Sequence, residues 1–338
     1  TPYGGVANNG TIFKLTPSKG GYTEAVVLQF KAYPYETGAA PYDSLIRDNS
    51  GVLYGTTSEG YAAGMVFKLN TGYVESIIGE FEYTNGTKPY AGLAFGEDGA
   101  LYGTTTEGGA SKTCNGCGVV FKVSSTTGLT AIHSFGGSDG AYPYGGLVFD
   151  TNGGLYGTTM AGGSNNAGTV FRVSRLGTNS GAVLYSFRGG SDGKSPFAGL
   201  VIDAKGELFG TTAYGGSYGK GTVFKLARNG SNYTETVLHS FSGHSDGAYP
   251  FAGLVADRRG ALYGTTANGG AHQNKGTVFK LIPSGSSYTE EIIHTFIGSD
   301  GAGPQAGLIL AAKGALYGTT AYGGASNEGT AFELIPQH

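Results

Sequence analysis

The chain has 338 residues, a formal net charge of −3, 13% charged residues, and 64 glycines beside 23 tyrosines and 18 phenylalanines. It has no stretch with the long periodic faces of a helical protein, and this composition favours short strands joined by tight turns. The slightly negative charge excludes the basic surface of a nucleic-acid-binding protein, and no apolar run is long enough to span a membrane.

A five-residue motif recurs six times at nearly constant spacing. Leu-Tyr-Gly-Thr-Thr or Leu-Phe-Gly-Thr-Thr begins at Leu53, Leu101, Leu155, Leu208, Leu262 and Leu316, in steps of 48, 54, 53, 54 and 54 residues. A proline precedes each copy at the same steps: Pro41, Pro89, Pro143, Pro196, Pro250 and Pro304. Such self-similarity indicates stacked supersecondary units.

Each complete unit contains four short strands, which we name A to D. In one unit they are predicted at 146–150, 155–159, 168–173 and 182–187. Four strands and a period near 54 residues are typical of a propeller blade; a β-solenoid is the alternative, but its coils are usually shorter. We therefore predict an all-β, six-bladed β-propeller of four-stranded antiparallel blades, forming one domain over residues 1–338.

The two ends of the chain resemble each other. Residues 10–15 align with residues 329–334, so the N-terminal partial unit (1–30) supplies strands C and D and the C-terminal partial unit (304–338) supplies A, B and C. The termini are predicted to share the closing blade, with one C strand in surplus. That strand is expected to be a loosely attached end, a fifth strand, or a strand that pairs with another molecule. The residues predicted for such assembly are Thr11, Phe13, Leu15, Thr330, Phe332 and Leu334.

The repeat resembles a known family. Its pattern is Gly-Leu-x-x-Asp-x-x-Gly-x-Leu-Tyr-Gly-Thr-Thr-x-x-Gly-Gly followed by Gly-Thr-Val-Phe-Lys-Leu, and it is similar to the GloVer-type tandem repeat of bacterial exported proteins. The match covers nearly the whole chain. It implies an extracellular or cell-surface protein and brings no catalytic residues with it. Because the chain begins at Thr1 without a methionine, we expect a processed, mature chain.

Tyrosines in the loops are the best candidates for binding. A tyrosine offers a stacking face and a hydroxyl, which suit a carbohydrate or a protein partner, although the same rings also wedge blades together. We expect Tyr144, Phe197 and Phe251, directly after prolines, to pack between blades. The predicted binding residues are Tyr142, Tyr249, Tyr214, Tyr218 and Tyr322, of which Tyr142 and Tyr249, directly before prolines, are expected to be exposed.

Acidic residues and histidines recur near strand D. Asp139, Asp192, Asp246 and Asp300 each precede a glycine, and they are interpreted either as a ring of calcium or sugar ligands or as turn residues. The turn role is favoured because the first two units lack the aspartate. His133, His239 and His294 share one position in strand D without a metal-ligand spacing. We therefore predict no cofactor and no metal; bound calcium is not indicated.

Two features suit an exported protein. Cys114 and Cys117 lie in one loop and are predicted to form a disulfide, because no second pair completes a zinc site and no thioredoxin-like context surrounds them. Four candidate glycosylation sequons occur, at Asn9, Asn85, Asn229 and Asn232.

The repeats argue against catalysis. An active site needs unlike groups that converge, whereas near-identical repeats place identical groups around an axis. We predict a non-catalytic structural, self-assembling or ligand-binding module whose partner is another copy of itself or a carbohydrate. The alternative is a carbohydrate-active enzyme, a polysaccharide lyase or glycoside hydrolase, with Arg47 and His272 as candidates.

Overall fold

The computed structural model describes residues 1–31, 38–60, 63–111, 113–114, 116–176, 181–230, 232–271 and 274–335. These residues form 25 β-strands and one 3-10 turn at Ala312–Gly314, and they contain no α-helix. No helix within these ranges is long and apolar enough to cross a membrane. The prediction of an all-β chain is confirmed.

Five sheets in the described residues are complete blades of four antiparallel strands that follow one another in chain order. They comprise β3–β6 (Ile46–Arg47, Leu53–Thr57, Met65–Leu69, Glu75–Glu80), β7–β10 (Ala94–Phe95, Leu101–Thr105, Val119–Ser124, Gly128–Ser134), β11–β14 (Val148–Phe149, Gly154–Thr159, Thr169–Ser174, Gly181–Ser186), β15–β18 (Val201–Ile202, Leu208–Thr212, Thr222–Asn229, Asn232–Ser240) and β19–β22 (Val255–Ala256, Leu262–Thr266, Thr277–Ser284, Ser287–Thr295). The four strands of each blade are the predicted strands A to D.

The remaining five strands lie at the chain ends. β1 (Thr11–Ser18) and β2 (Gly21–Gln29) form a hairpin, and β23 (Ile309–Leu310), β24 (Leu316–Thr320) and β25 (Thr330–Leu334) form a three-stranded sheet. The chain is a six-bladed β-propeller by fold class, with the predicted two strands at its start and three at its end. The two ends do not share one hydrogen-bonded sheet in the described residues. β24 pairs with β25, and β1 pairs with β2 in a separate sheet.

The recurring Leu-Tyr-Gly-Thr-Thr motif has a structural cause. A Cβ atom on Gly264 would lie 2.6 Å from Cζ of Phe279 on the neighbouring C strand, so only glycine leaves room for that ring. The first threonine joins successive blades, as where the Thr211 hydroxyl donates to the carbonyl of Ala252 at 2.9 Å. The motif therefore builds and connects blades.

The chain divides into two compact units, each with its own core. One comprises Thr1–Gly136, Tyr142–Leu147 and Val173–Gly181, and the other comprises Gly137–Ala141, Val148–Arg172 and Ala182–His338. In both units, each complete blade buries the phenylalanine in the middle of its C strand. These residues, all at most 1% exposed, are Phe67 and Phe121 in the first unit and Phe171, Phe224 and Phe279 in the second.

Candidate functional site

The C-terminal sheet has the register of a complete blade but not its burial. Thr319 pairs with Ala331 on β25 in the same way as Thr265 pairs with Val278 in the preceding blade. β25 therefore occupies on β24 the place of a C strand. Thr330, Phe332 and Leu334, three of the predicted assembly residues, remain partly exposed there. One face of this sheet lacks the cover that complete blades have.

The N-terminal hairpin is also an incomplete blade. β1 pairs with β2 with a register shift between Ile12 and Phe13, as strand C of the last complete blade does between Val278 and Phe279. Within the described residues, β1 is paired along one edge only. Thr11 is buried, Phe13 is partly exposed and Leu15 is 38% exposed. The hairpin thus presents strands C and D of a blade without strands A and B.

The sequence of β1 is closer to that of a complete blade than the sequence of β25. The C strands at 222–226 and 277–281 read Thr-Val-Phe-Lys-Leu; β1 begins Thr-Ile-Phe-Lys-Leu and β25 reads Thr-Ala-Phe-Glu-Leu. Val278 is fully buried, Ile12 fills the equivalent position, and Ala331 is too small to fill it. The lysine matters as well: Lys280 lies 5.7 Å from the ring centre of Tyr263, whereas β25 has Glu333 there.

A histidine–glutamate contact joins two neighbouring D strands, and its equivalent is not formed between the described residues of the chain ends. In the β15–β18 blade, His239 Nε2 lies 3.4 Å from Glu290 Oε1 on the D strand of the next blade. His294, one repeat later, pairs with Asp300 at 2.8 Å. In the repeat alignment the residue equivalent to Glu290 for His294 is Glu24, because both follow a Tyr-Thr pair. Glu24 lies exposed on β2.

A mixed cluster of three ligand-type side chains lies between two blades. His239 Nε2 is 3.5 Å from Asp246 Oδ2 and 3.4 Å from Glu290 Oε1, and one ligand atom from each residue lies within 4.8 Å of the others. Burial lowers the pKa of His239, while burial and the Asp246 charge raise the pKa of Glu290 to about 7. The sequence pattern did not group these residues, because Glu290 belongs to the following repeat.

The loop aspartates have the turn role that the sequence favoured. Asp192 accepts a hydrogen bond from the backbone N–H of Arg188 at 2.8 Å, and Asp246 accepts one from Ser242 at 2.7 Å. Each also contacts its strand D: the Tyr185 hydroxyl donates to Asp192 at 2.9 Å, and His239 lies beside Asp246. The aspartates therefore tie each D strand to its following loop.

The candidate tyrosines do not form one surface. Tyr218 and Tyr322 are well exposed, Tyr214 and Tyr142 are less so, and Tyr249 is only partly exposed. The expectation of an exposed Tyr249 is wrong, because its hydroxyl accepts a hydrogen bond from Lys220 at 2.9 Å and its ring lies against neighbouring aromatic rings.

The residues after the prolines pack as expected. Tyr144 stacks on Tyr90 with ring centres 5.5 Å apart, and Phe197 meets Phe251 edge to face at 5.3 Å. These rings connect successive blades near the predicted loops. Phe251 also borders an open cleft of about 580 Å³ whose lining includes Asn268, Lys275, Gln305 and Tyr322. Of the predicted binding tyrosines, only Tyr322 lines this cleft.

The other sequence predictions fall in different parts of the chain. Cys114 and Cys117 form the predicted disulfide. Arg47 lies exposed on β3, far in sequence from His272, which lies outside the described residues.

The four sequon asparagines differ in accessibility. Asn229 and Asn232 are exposed at a hairpin end, and Asn9 is half-buried. Asn85 is half-buried as well, and its side chain is occupied by a turn: Oδ1 accepts from the N–H of Glu82 at 2.7 Å.

Solved structures with a similar fold come from several functional contexts. A Thermus thermophilus protein assigned as an oxidoreductase (glucose dehydrogenase) is 17% identical, with 87% of this chain and 96% of that chain covered and a TM-score of 0.53. The extracellular domain of a B. thetaiotaomicron protein assigned as a one component system is 14% identical, with 93% of this chain and 37% of that chain covered and a TM-score of 0.58. PorZ, a surface component of the type-IX secretion system of Porphyromonas gingivalis, is 13% identical, with 90% of this chain and 42% of that chain covered and a TM-score of 0.53. At these identities the likeness shows the fold alone.

The sequence comparisons identify the repeat itself. No curated protein matches the chain. The profile of the Gloeobacter/Verrucomicrobia repeat matches residues 1–203 and 110–332, two overlapping regions that include every copy of the Leu-Tyr-Gly-Thr-Thr motif. The chain therefore belongs to the Gloeobacter/Verrucomicrobia repeat family.

Proposed function

We propose that this chain is a non-catalytic structural module that assembles head to tail outside the cell. The β1–β2 hairpin of one copy displaces β25 from β24 of the next copy and completes that blade. The observation that carries the proposal is the burial of β25: it has the register of a C strand, yet Phe332 is partly exposed where five other blades bury their phenylalanine.

The exchange is favourable because β1 is the better C strand. At the position opposite Thr319, it replaces Ala331 by Ile12, which has three more carbon atoms, in a site that is fully buried in complete blades. Burying about 0.8 kcal/mol per methylene gives about 2 kcal/mol for this position alone. The incoming β2 adds a D strand, and the edge of β1 that is unpaired in the described residues gains β24 as its neighbour, as in other strand-addition complexes.

Charge supports the same register. In a completed blade, Glu24 of the incoming β2 takes the position that Glu290 has beside His239. There it contacts His294 and Asp300. In the part of the chain that the structure describes, the sheet that follows this His–Asp pair has no D strand of its own, and the strand that matches one in sequence is β2 at the N-terminus. His294 then lies between two carboxylates, as His239 lies between Asp246 and Glu290.

The interface is heterologous, since different surfaces of the two copies meet. Heterologous contacts that do not close into a ring propagate as filaments. Export is supported by the family resemblance and by the Cys114–Cys117 disulfide, because such bonds persist in oxidising compartments.

Cysteine cross-linking between separate chains tests the proposal. One variant carries Ile12→Cys and the other Thr319→Cys, residues that become cross-strand neighbours when β1 replaces β25 in the same register. Mixed under mild oxidation, the two variants should form covalent dimers, whereas Gly20→Cys in the hairpin turn, mixed with Thr319→Cys, should not.

Electron microscopy of the unmodified protein should show filaments. A strictly monomeric particle would refute the assembly. A chain with both cysteines that cross-links only within itself would show that the hairpin completes its own chain, and would refute the assembly as well.

A second candidate function is carbohydrate binding at the cleft beside Tyr322. The exposed ring of Tyr322, the amides of Asn268 and Gln305 and the Lys275 ammonium supply a stacking face and hydrogen-bonding groups in one concave surface. Binding of a polysaccharide panel should be lost in Tyr322→Ala and kept in Tyr218→Ala, whose tyrosine is exposed away from the cleft lining. Equal binding by both variants would exclude this cleft.

A further inference from the structure

Three side chains of different type converge between the β15–β18 and β19–β22 blades. His239 extends from β18, Asp246 from the loop after it, and Glu290 from β22 of the following blade. Asp246 is held in place, since it accepts hydrogen bonds from both the backbone N–H and the hydroxyl of Ser242. Imidazole nitrogen and carboxylate oxygen are both donor atoms that bind Zn²⁺ in proteins.

The spacing of the donor atoms fits a tetrahedral ion. Zinc binds imidazole nitrogen and carboxylate oxygen at about 2.0–2.2 Å, so donor atoms around one ion lie roughly 3.3 Å apart. The distances from His239 Nε2 to Asp246 and Glu290 are 3.5 and 3.4 Å. Both exceed the usual length of an N–H···O hydrogen bond, so a direct proton bridge explains them less well.

Two of the donor atoms are buried and lack a hydrogen-bond partner. These are His239 Nε2 and Glu290 Oε1. A buried polar atom without a partner costs free energy, and a metal ion between these atoms would satisfy both. A histidine binds a metal ion through the lone pair of a neutral ring nitrogen, and Nε2 of His239 faces both carboxylates.

The preceding pair of blades provides an internal comparison. There Asp192 and Glu235 occupy the positions of Asp246 and Glu290, but Tyr185 replaces His239 and donates its hydroxyl to Asp192 at 2.9 Å. Arg188 lies 3.7 Å from the same carboxylate and supplies positive charge. That pair of blades therefore satisfies its aspartate without a metal.

We propose that His239, Asp246 and Glu290 bind one Zn²⁺ ion, which links the two blades and leaves one coordination position for water. The role is structural: the ion ties strand D of one blade to strand D of the next. This site lies within one chain and is independent of the proposed assembly.

Zinc titration of the full-length protein, stripped with chelator, tests the site. Calorimetry with Zn²⁺ should give one saturable site per chain, and Ca²⁺ should not compete. Glu290→Gln and His239→Tyr should each weaken Zn²⁺ binding at least tenfold; tyrosine already occupies the equivalent position at Tyr185, so His239→Tyr is expected to fold. Glu235→Gln, in the equivalent position of the preceding pair of blades, should leave binding unchanged.

Thermal unfolding provides a second readout. Zn²⁺ should raise the Tm of the wild type and of Glu235→Gln but not that of His239→Tyr. The proposal is overturned if Zn²⁺ does not bind saturably, or if His239→Tyr and Glu290→Gln bind it as tightly as the wild type.

Discussion

The imidazole of His133 on β10 occupies the space beside Gly181 on β14 that a side chain would otherwise fill: a Cβ atom on Gly181 would lie 2.6 Å from His133 Cε1. The same two positions are reversed in size one blade earlier, where Leu129 lies against Gly79. At these two junctions a large side chain therefore lies against a glycine of the neighbouring D strand. This complementarity distinguishes one blade junction from another within otherwise similar repeats.

Gly181→Ala should destabilise the protein by about 1–3 kcal/mol, because the added methyl group forces the buried His133 ring to move. Urea unfolding measures the change. Gly190→Ala is the control, because nothing lies within 4 Å of a Cβ atom at Gly190. Equal stability of the two variants would contradict the packing role.

Thr158→Val should cost about 1–3 kcal/mol, because it removes the 2.7 Å hydrogen bond from the Thr158 hydroxyl to the Ala198 carbonyl and leaves a buried acceptor unpaired. The matched control is Thr319→Val, the same motif position in the C-terminal sheet, where the threonine is exposed. Thermal denaturation should separate the two variants, and an equal loss in both would show that the inter-blade bond contributes little.

Glu235 should make stability depend on pH. Burial, helped by the charge of Asp192, raises its pKa from 4.5 to about 7, so the folded state binds the proton that the unfolded state loses. The contribution is fully present below about pH 4.5 and is lost as the pH rises toward about 7. The free energy of unfolding of the wild type relative to Glu235→Gln should therefore fall across that window and level off above it. Exposed Glu328→Gln should give a curve parallel to the wild type; a parallel curve for Glu235→Gln would rule out the effect.

The double variant Ala331→Val, Glu333→Lys should impair head-to-tail association, because it gives β25 the sequence of a complete blade's C strand and makes it harder to displace. Light scattering at increasing protein concentration should show smaller particles than the wild type. Deletion of residues 330–338 should have the opposite effect, since it leaves β24 open. If the two changes alter association in the same direction, β25 is not a competitor of the hairpin.

Much of the fold follows from the sequence. The Leu-Tyr-Gly-Thr-Thr motif recurs at nearly constant spacing, and its glycine leaves room for a ring such as that of Phe279. These are local requirements of a blade, and they repeat because every blade has the same packing. The number of strands at each end followed from the alignment of residues 10–15 with 329–334. The Cys114–Cys117 disulfide followed from spacing and the absence of other cysteines.

Contacts across blades could not be predicted in the same way. His239 and Glu290 are separated by almost a full repeat, and no local pattern predicts that Nε2 and Oε1 lie 3.4 Å apart. The partial burial of Tyr249 likewise depends on Lys220, from another loop. The blade repeat can be predicted from the sequence because strand and turn formation depend on residues that are close together in the chain. The junctions between blades emerge only on folding, because they depend on side chains brought together from different repeats.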